Sequence, residues 1–274
     1  MIRAGGLLLM LSVLGSVPGN GQQLGPSTGG FQAVDQGLRF LGHHKRILMI
    51  GAHPDDEDTE FLTVAVRGLG AEAAYLALTR GEGGQNLIGP ELGDGLGILR
   101  TEELLGARRL DGAGQFFSRA FDFGYSKGLP DTWSRWPPDS ILKDVVRVIR
   151  SYRPQILVSV FSGTPRDGHG QHQAAGRAAH EAFEAAGDPR RFPELATEEG
   201  LQPWTPQKLY QGARFSPEDA TLTLDGGVLD PAVGQSFLQI AMRGRSLHRS
   251  QDMGQLQPIG PSAVRVALVK DRTG

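Results

Sequence analysis

Arg46-Ile47-Leu48-Met49-Ile50-Gly51-Ala52-His53-Pro54-Asp55-Asp56-Glu57 decides the fold. The uninterrupted apolar run from Ile47 to Ile50 predicts a parallel strand buried on both faces, and Gly51 and Pro54 end its extended geometry. The histidine and three carboxylates therefore fall at a strand's carboxyl end, where open α/β sheets place their ligands. His53 and Asp56, three apart across a Pro-containing turn, can point at one metal, which leaves Asp55 beside it as a free carboxylate. Glu57 reads as a local acceptor that braces the loop.

Outward from this stretch, strands and helices alternate. Asp58 to Leu69 is apolar at Phe61, Leu62, Val64, Ala65 and Leu69 and predicts a crossover helix. Ala73 to Thr79 predicts a second buried strand, followed by the glycine-rich loop Arg80 to Asn86. A helix over Ile98 to Leu110 would turn Leu99, Leu104, Leu105 and Leu110 inward, and Gln115 to Ser118 a third strand, leading into the loop Asp122 to Ser126. Pro137-Pro138-Asp139 opens a helix to Tyr152 that Pro154 closes. Ile156 to Val160 is the fourth strand, before the loop Phe161 to Gly170 and an alanine-rich helix from Gln171 to Ala186.

This order predicts an α/β fold with a mostly parallel, doubly wound sheet. Beyond it, Lys208 to Gln211, Ala220 to Leu224 and Ala263 to Val269 read as strands of a small C-terminal α+β appendage, with a helix from Asp230-Pro231 to His248. Val34 to Leu41 reads as a short first helix, and His43-His44-Lys45-Arg46 as a solvated turn. The expected division is a leader at 1–23, a linker at 24–44, the main domain at 45–255 and the start of a further region at 256–274.

The chain has 274 residues, is 39% hydrophobic and 21% charged, and so suffices for one large α/β domain. A formal net charge of -2 and a pI of 6.4 give no electrostatic reason to expect nucleic acid. The count of cysteines is 0, which excludes disulfides, thiolate metal sites and cysteine nucleophiles, so a metal must be held by His and carboxylate. Arg3 followed by the apolar run Ala4 to Val17 has the form of a secretory leader cut between Val17 and Gln23, implying a secreted or periplasmic protein. That run is too short to span a membrane, so no stable span is expected once it is removed.

Two strand ends hold candidate ligands: His53, Asp55 and Asp56 after the first, and His169 and His172 after the fourth. Two neutral imidazoles and one carboxylate with an open position make the catalytic zinc pattern. One carboxylate and one imidazole are left over, which is what metal-assisted hydrolysis needs. Asp122 and Tyr125 lie in a glycine-containing loop of the kind that lines active sites. Trp133 and Trp136 suit sugar stacking or loop packing equally, and His180 reads as a surface residue.

These motifs resemble the PIG-L/LmbE-like deacetylases. The resemblance rests on Ala-His-Pro-Asp-Asp-Glu at 52–57, Thr79 with Gly81-Glu82, Arg100 with Glu102-Glu103, and the His-x-x-His at 169–172. It covers 45–185 and, more faintly, Arg243 to Gln251. It implies a Rossmann-like fold without a dinucleotide, in agreement with the absence of a Gly-x-Gly-x-x-Gly turn after the first strand. It further implies that His53, Asp56 and His172 bind zinc, that Asp55 is the general base, and that His169 stabilises the oxyanion or donates a proton. Arg100 would face the substrate, a small N-acetylated sugar or glycoconjugate. Many relatives have an aspartate where this chain has Gln171, a neutral amide that orients a histidine without charging it. The alternative from another class is a catalytically silent carbohydrate-binding or structural module.

Overall fold

The computed structural model describes residues 23–24, 30–42, 44–213, 216–251 and 254–274. The leader expected at 1–23 lies outside the described residues but for Gln23, as do Gly25 to Gly29 of the linker and His43 of the turn before the first long strand.

In chain order the strands are β1 (Gln23–Leu24), β2 (Arg46–Gly51), β3 (Glu72–Ala77), β4 (Gly114–Phe117), β5 (Ile156–Ser159), β6 (Lys208–Gly212), β7 (Leu222–Asp225), β8 (Leu229–Asp230), β9 (Gln235–Ser236) and β10 (Ala263–Asp271). The helices are α1 (Gly30–Gly42), α2 (Thr59–Thr63), α3 (Asp94–Asp111), α4 (Leu129–Trp133), α5 (Pro138–Tyr152), α6 (Gly170–Ala185), α7 (Glu194–Thr197) and α8 (Phe237–Arg245). The described helices include none long and apolar enough to cross a membrane.

An 8-stranded sheet in the order β1-β4-β3-β2-β5-β6-β10-β7 organises these elements. The five strands from β4 to β6 run parallel, whereas β1, β10 and β7 each pair antiparallel with their neighbours. The chain winds outward from β2 through β3 to β4, then returns to β5 on the other side of β2. The strand order therefore reverses between β2 and β5, and a crevice opens above their carboxyl ends.

The period of two along β2 explains its burial. Leu48 and Ile50 enter a core with Leu142, Val145, Val146 and Ile149 of α5 and the alanines and Phe183 of α6. Ile47 and Met49 face the opposite core, with Phe61 and Leu62 of α2, Leu104 of α3 and Phe237 of α8. Helices thus cover both faces, the arrangement that an all-apolar parallel strand requires.

The predicted elements recur with shifted ends. The crossover helix starts under the Asp58 cap, whose carboxylate accepts the Phe61 N–H at 2.9 Å, then widens into a π turn over Val64–Gly68. In α5, Pro138 stands in the first turn and Arg153 closes the helix in a left-handed conformation at φ 58°.

The C-terminal part is a mixture of α and β, but its long strands extend the main sheet instead of forming a second one. β6 is the fifth parallel strand, and β10 lies between β6 and β7, so Ala263 to Asp271 belong to the main sheet. The helix expected from Asp230 begins only at Phe237. Asp230 is occupied by Arg67 Nε at 2.7 Å and by the Ala232 N–H at 2.8 Å, and Gly234 at φ 67° turns the chain back into β9. Ser236 and Gln239 form the capping box that actually starts α8.

Gly51, the last residue of β2, is fixed by a close approach. Any Cβ there would lie 2.4 Å from the Tyr75 hydroxyl, which donates to the His53 carbonyl at 2.7 Å. Gly51→Ala is expected to destabilise the fold by about 1–3 kcal/mol, the usual cost of overpacking a core. In urea unfolding, Gly51→Ala with Tyr75→Phe should recover part of that loss. No recovery would mean that the hydroxyl contact is not what selects glycine.

Candidate metal centre

Three side chains meet above β2 and β5. His53 Nδ1 lies 3.2 Å from Asp56 Oδ2, and His172 Nε2 lies 3.3 Å from Asp56 Oδ1. His169 joins them: its ring centroid is 5.3 Å from His53 and 4.0 Å from His172, and one donor nitrogen from each of the three imidazoles falls within 4.8 Å of the others.

The loop after β2 sets two of these groups. The Ala52 and His53 N–H groups donate to Asp56 Oδ2 at 2.9 and 2.7 Å, fixing the carboxylate, while Tyr75 holds the His53 carbonyl from below. The start of α6 sets the others. His169 caps that helix, its Nδ1 accepting the Gln171 N–H at 3.4 Å, and His172 follows in the first turn with Phe161 stacked on it at 4.0 Å.

Hydrogen bonds at the far nitrogens decide which lone pairs point inward. His172 Nδ1 lies 3.1 Å from the Asp167 carbonyl, which can only accept, so Nδ1 carries a proton and, in the neutral ring, Nε2 presents its lone pair to Asp56. His53 Nε2 meets Gln171 Oε1 at 2.6 Å, which leaves Nδ1 to face Asp56.

Two lone pairs thus confront the two oxygens of one carboxylate, and acceptors in contact require a cation between them. Donors about 2.0–2.1 Å from a tetrahedral zinc lie roughly 3.3–3.4 Å apart, close to the separations here, so the donor set fits that ion. A proton on each imidazole is the alternative cation. Burial works against it, but Asp56 and Asp122 together raise His53 to about 9. Asp56 itself is pushed up by burial and pulled well below its usual range by His172 and His53.

Asp55 stands on strained backbone, at φ 101°, a region that L residues rarely adopt. The surroundings hold it there. Arg100 Nη2 donates to Asp55 Oδ1 at 2.8 Å and also to the Pro54 carbonyl, the Asp55 N–H donates to Glu57 Oε2 at 2.9 Å, and Arg245 donates to the Asp55 carbonyl. The carboxyl is 22% exposed. Burial raises its pKa against the opposing pull of Arg100, the direction suited to a group that must accept a proton.

The other expected site residues lie at different depths. Arg100 is 3% exposed, and its guanidinium goes to Gly81, Pro54 and Asp55, so it braces the loop. Gly81, at φ 74°, makes room, because any Cβ there would sit 2.3 Å from Arg100 Nη1. Asp122 is 3% exposed and accepts from the Gly124 N–H and Gln171 Nε2, behind His53. Tyr125 is 79% exposed, with its ring 5.7 Å from His169, at the mouth of the site. Trp136 is buried, with Nε1 on the Phe121 carbonyl, and Trp133 packs on the same core, so both pack loops. His180 is half-buried on α6 with its Nε2 enclosed, and so is not a plain surface histidine.

Beneath Asp55 lies a charge cluster that the apolar pattern did not signal. Glu57 Oε1 takes His248 Nε2 at 2.8 Å and Arg108 Nη2 at 3.4 Å, and Arg108 also pairs with Asp111 at 2.6 Å. All four side chains are at most 3% exposed. Burial pushes Glu57 up, but His248 and Arg108 outweigh it and bring it to about 2. Burial prevails at Asp111, which is raised. The bracing role expected of Glu57 is met at the Asp55 N–H.

Beside the candidate metal centre a cavity of about 440 Å³ runs past Asp55, Asp56 and His172, walled by Phe61, Val160 and Phe161 and flanked by Arg166 and Arg245.

Fold and site together define a doubly wound α/β protein with a His/carboxylate centre at its switch point. Residues 48–183 match the family described as PIG-L, GlcNAc-PI de-N-acetylase, and the chain belongs to that family. It is 34% identical over 189 residues to a 1D-myo-inositol 2-acetamido-2-deoxy-alpha-D-glucopyranoside deacetylase of Thermobispora bispora, covering 62% of this chain and 59% of that protein. It is 29% identical over 206 residues to the mycothiol S-conjugate amidase of Streptomyces coelicolor, covering 68% of each. The chain thus spans about three fifths of the first relative's length.

Two solved structures share the fold. The N,N'-diacetylchitobiose deacetylase of Pyrococcus horikoshii superposes with a TM-score of 0.59 at 19% identity, covering 76% of this chain and 71% of that one. The 4-carboxy-2-hydroxymuconate hydratase of Pseudomonas putida KT2440 gives 0.57 at 18%, covering 84% and 98%. A deacetylase and a hydratase on one fold mean that the reaction must be argued from the residues.

Glu57 makes a pH prediction. Its pKa is lower folded than unfolded, so its contribution is complete above about 4.5 and is lost as pH falls from there toward 2. Acid titration of the unfolding free energy should show this loss, and Glu57→Gln should flatten that limb. An unchanged limb in Glu57→Gln would remove Glu57 as its source.

Proposed function

We propose that the chain is a zinc-dependent hydrolase that removes the acetyl group from an N-acetylated sugar of the N-acetylglucosamine type. The observation that supports this most is the pair of imidazole lone pairs aimed at the two oxygens of Asp56, beside a carboxylate of raised pKa that is not part of the donor set. The names of the relatives favour the same class of substrate.

His53 Nδ1, Asp56 and His172 Nε2 would hold the ion. Bound there, zinc would act as a Lewis acid toward the acetamide carbonyl and lower the pKa of water toward about 7. Asp55 takes the proton of the attacking water. Arg100 occupies Asp55 Oδ1, which leaves Oδ2 for that proton and keeps the strained loop from relaxing. His169 accepts at Nδ1 from the Gln171 N–H, so its own proton resides on Nε2. Burial first, then His172 and His53, lower its pKa to about 4, so near neutral pH His169 serves the developing oxyanion as a neutral hydrogen-bond donor. Asp55 then returns the acquired proton to the leaving amine as the C–N bond breaks.

Purified, zinc-loaded protein incubated with a panel of N-acetylated sugars should release acetate. Asp55→Asn should retain zinc and substrate affinity but lower kcat by roughly 10²–10⁴-fold, the range for losing a general base. Asp56→Asn should lose zinc affinity, with activity partly restored by excess metal, and His169→Ala should keep the metal. Zinc lost from His169→Ala but kept by Asp56→Asn would replace this donor set with the three histidines, and acetate released from no member of the panel would reject the substrate class.

A further inference from the structure

We propose that Gln171 is a positioning residue that locks the tautomer of His53: its amide donates to Asp122 and the Gly124 carbonyl and so can only accept from His53. The inference rests on the reading of His53 as a metal ligand. It gives a specific role to the one residue at which this chain departs from the aspartate expected before the second histidine.

The direction of the relay follows from what each partner can do. Gln171 is fully buried and cannot exchange its bonds with solvent. Its Nε2 lies 3.1 Å from Asp122 Oδ1 and 2.8 Å from the Gly124 carbonyl. A carboxylate and a carbonyl are acceptors, and they take both hydrogens of the amide. Reversing the amide would set its oxygen against those two oxygens, so the orientation is determined by the network. Oε1 must then face His53 Nε2, 2.6 Å away, and being an acceptor it requires the proton on Nε2. Only Nδ1 is left with a lone pair, and Nδ1 faces Asp56.

Asp122 is fixed in turn. The Gly124 N–H donates to the same Oδ1 at 2.8 Å, while Oδ2 stays 3.8 Å from His53 Nε2, outside hydrogen-bond reach. A metal-bound histidine commonly gives its second N–H to a carboxylate or carbonyl, which fixes the ring and raises its basicity. Here a neutral amide holds the ring and keeps the carboxylate one group further away. The contact that matters is with His53, on the other strand end, and the Gln171 side chain makes no hydrogen bond to His169 among the described residues.

Two variants separate hydrogen-bond direction from charge. Gln171→Met keeps the length and removes every hydrogen bond, so the zinc affinity measured by competition with a chromophoric chelator should fall by about 10–100-fold, as for other second-layer partners of metal ligands. Asp122→Asn removes the charge, but its Oδ1 still accepts from the Gly124 and Gln171 N–H groups, so its affinity should fall far less. The parent protein supplies a readout independent of folding in either variant. With ¹⁵N-histidine and zinc, long-range ¹H–¹⁵N spectra should show His53 protonated at Nε2, with a solvent-protected N–H signal that Gln171→Met loses. Unchanged affinity in Gln171→Met, an equal loss in Asp122→Asn, or His53 protonated at Nδ1 in the parent would each overturn the proposal. Failure of the parent to bind zinc would instead reject the metal reading, and the relay with it.

Discussion

The arrangement depends on one electrostatic constraint: the two oxygens of Asp56 each face an imidazole nitrogen, and a cation, metal ion or proton, must lie between such groups. Every neighbouring feature serves to keep that confrontation in place. The Ala52 and His53 N–H groups fix Asp56, the Asp167 carbonyl fixes His172, the Gln171 amide fixes His53, and Phe161 prevents His172 from turning. None of these groups could act without the reversal of strand order between β2 and β5, which brings residues 53–56 and 169–172 together across more than a hundred positions of sequence.

The second constraint is strain. Asp55 cannot hold φ 101° unaided, and the bonds that hold it come from Arg100 of α3, from Glu57 two residues on and from Arg245 at the end of α8. Their charges are buried, so the chain places Glu57, Arg108, Asp111 and His248 in mutual contact beneath the loop. A buried ion cluster of this kind is weak evidence for stability, because desolvation offsets much of the attraction, but removing one member leaves the others unpaired at about 3–5 kcal/mol. Its evident use here is to define one conformation for the loop that presents Asp55.

How much of this was legible in the sequence follows the same physics. The apolar run at 47–50 and the His-Pro-Asp-Asp-Glu that follows it announced both the buried strand and the acidic turn, because period and turn chemistry are local. The helix α3 was placed, but its buried face was read only in part. Its pattern put Leu99, Leu104, Leu105 and Leu110 inside; Leu104 is fully buried, the other three are half-buried, and Arg100, Arg108 and Asp111 are buried beside Leu104. Hydrophobic periodicity counts an arginine as solvated, and no local signal says that Arg100 has a carboxylate partner 45 residues away or Arg108 one 51 residues away. The same blindness left open which histidine Gln171 orients, when its side chain reaches His53. The C-terminal strands were found as strands, but that Ala263 to Asp271 lies between β6 and β7 is a matter of long-range pairing, which single segments do not encode.

Diffraction from crystals grown with zinc, recorded on both sides of the zinc absorption edge, tests the central claim most directly. The account predicts one anomalous peak per chain, about 2.0–2.1 Å from His53 Nδ1 and His172 Nε2 and in contact with Asp56. No peak at that position, or a peak bound through His53 Nε2 with Gln171 displaced, would contradict it.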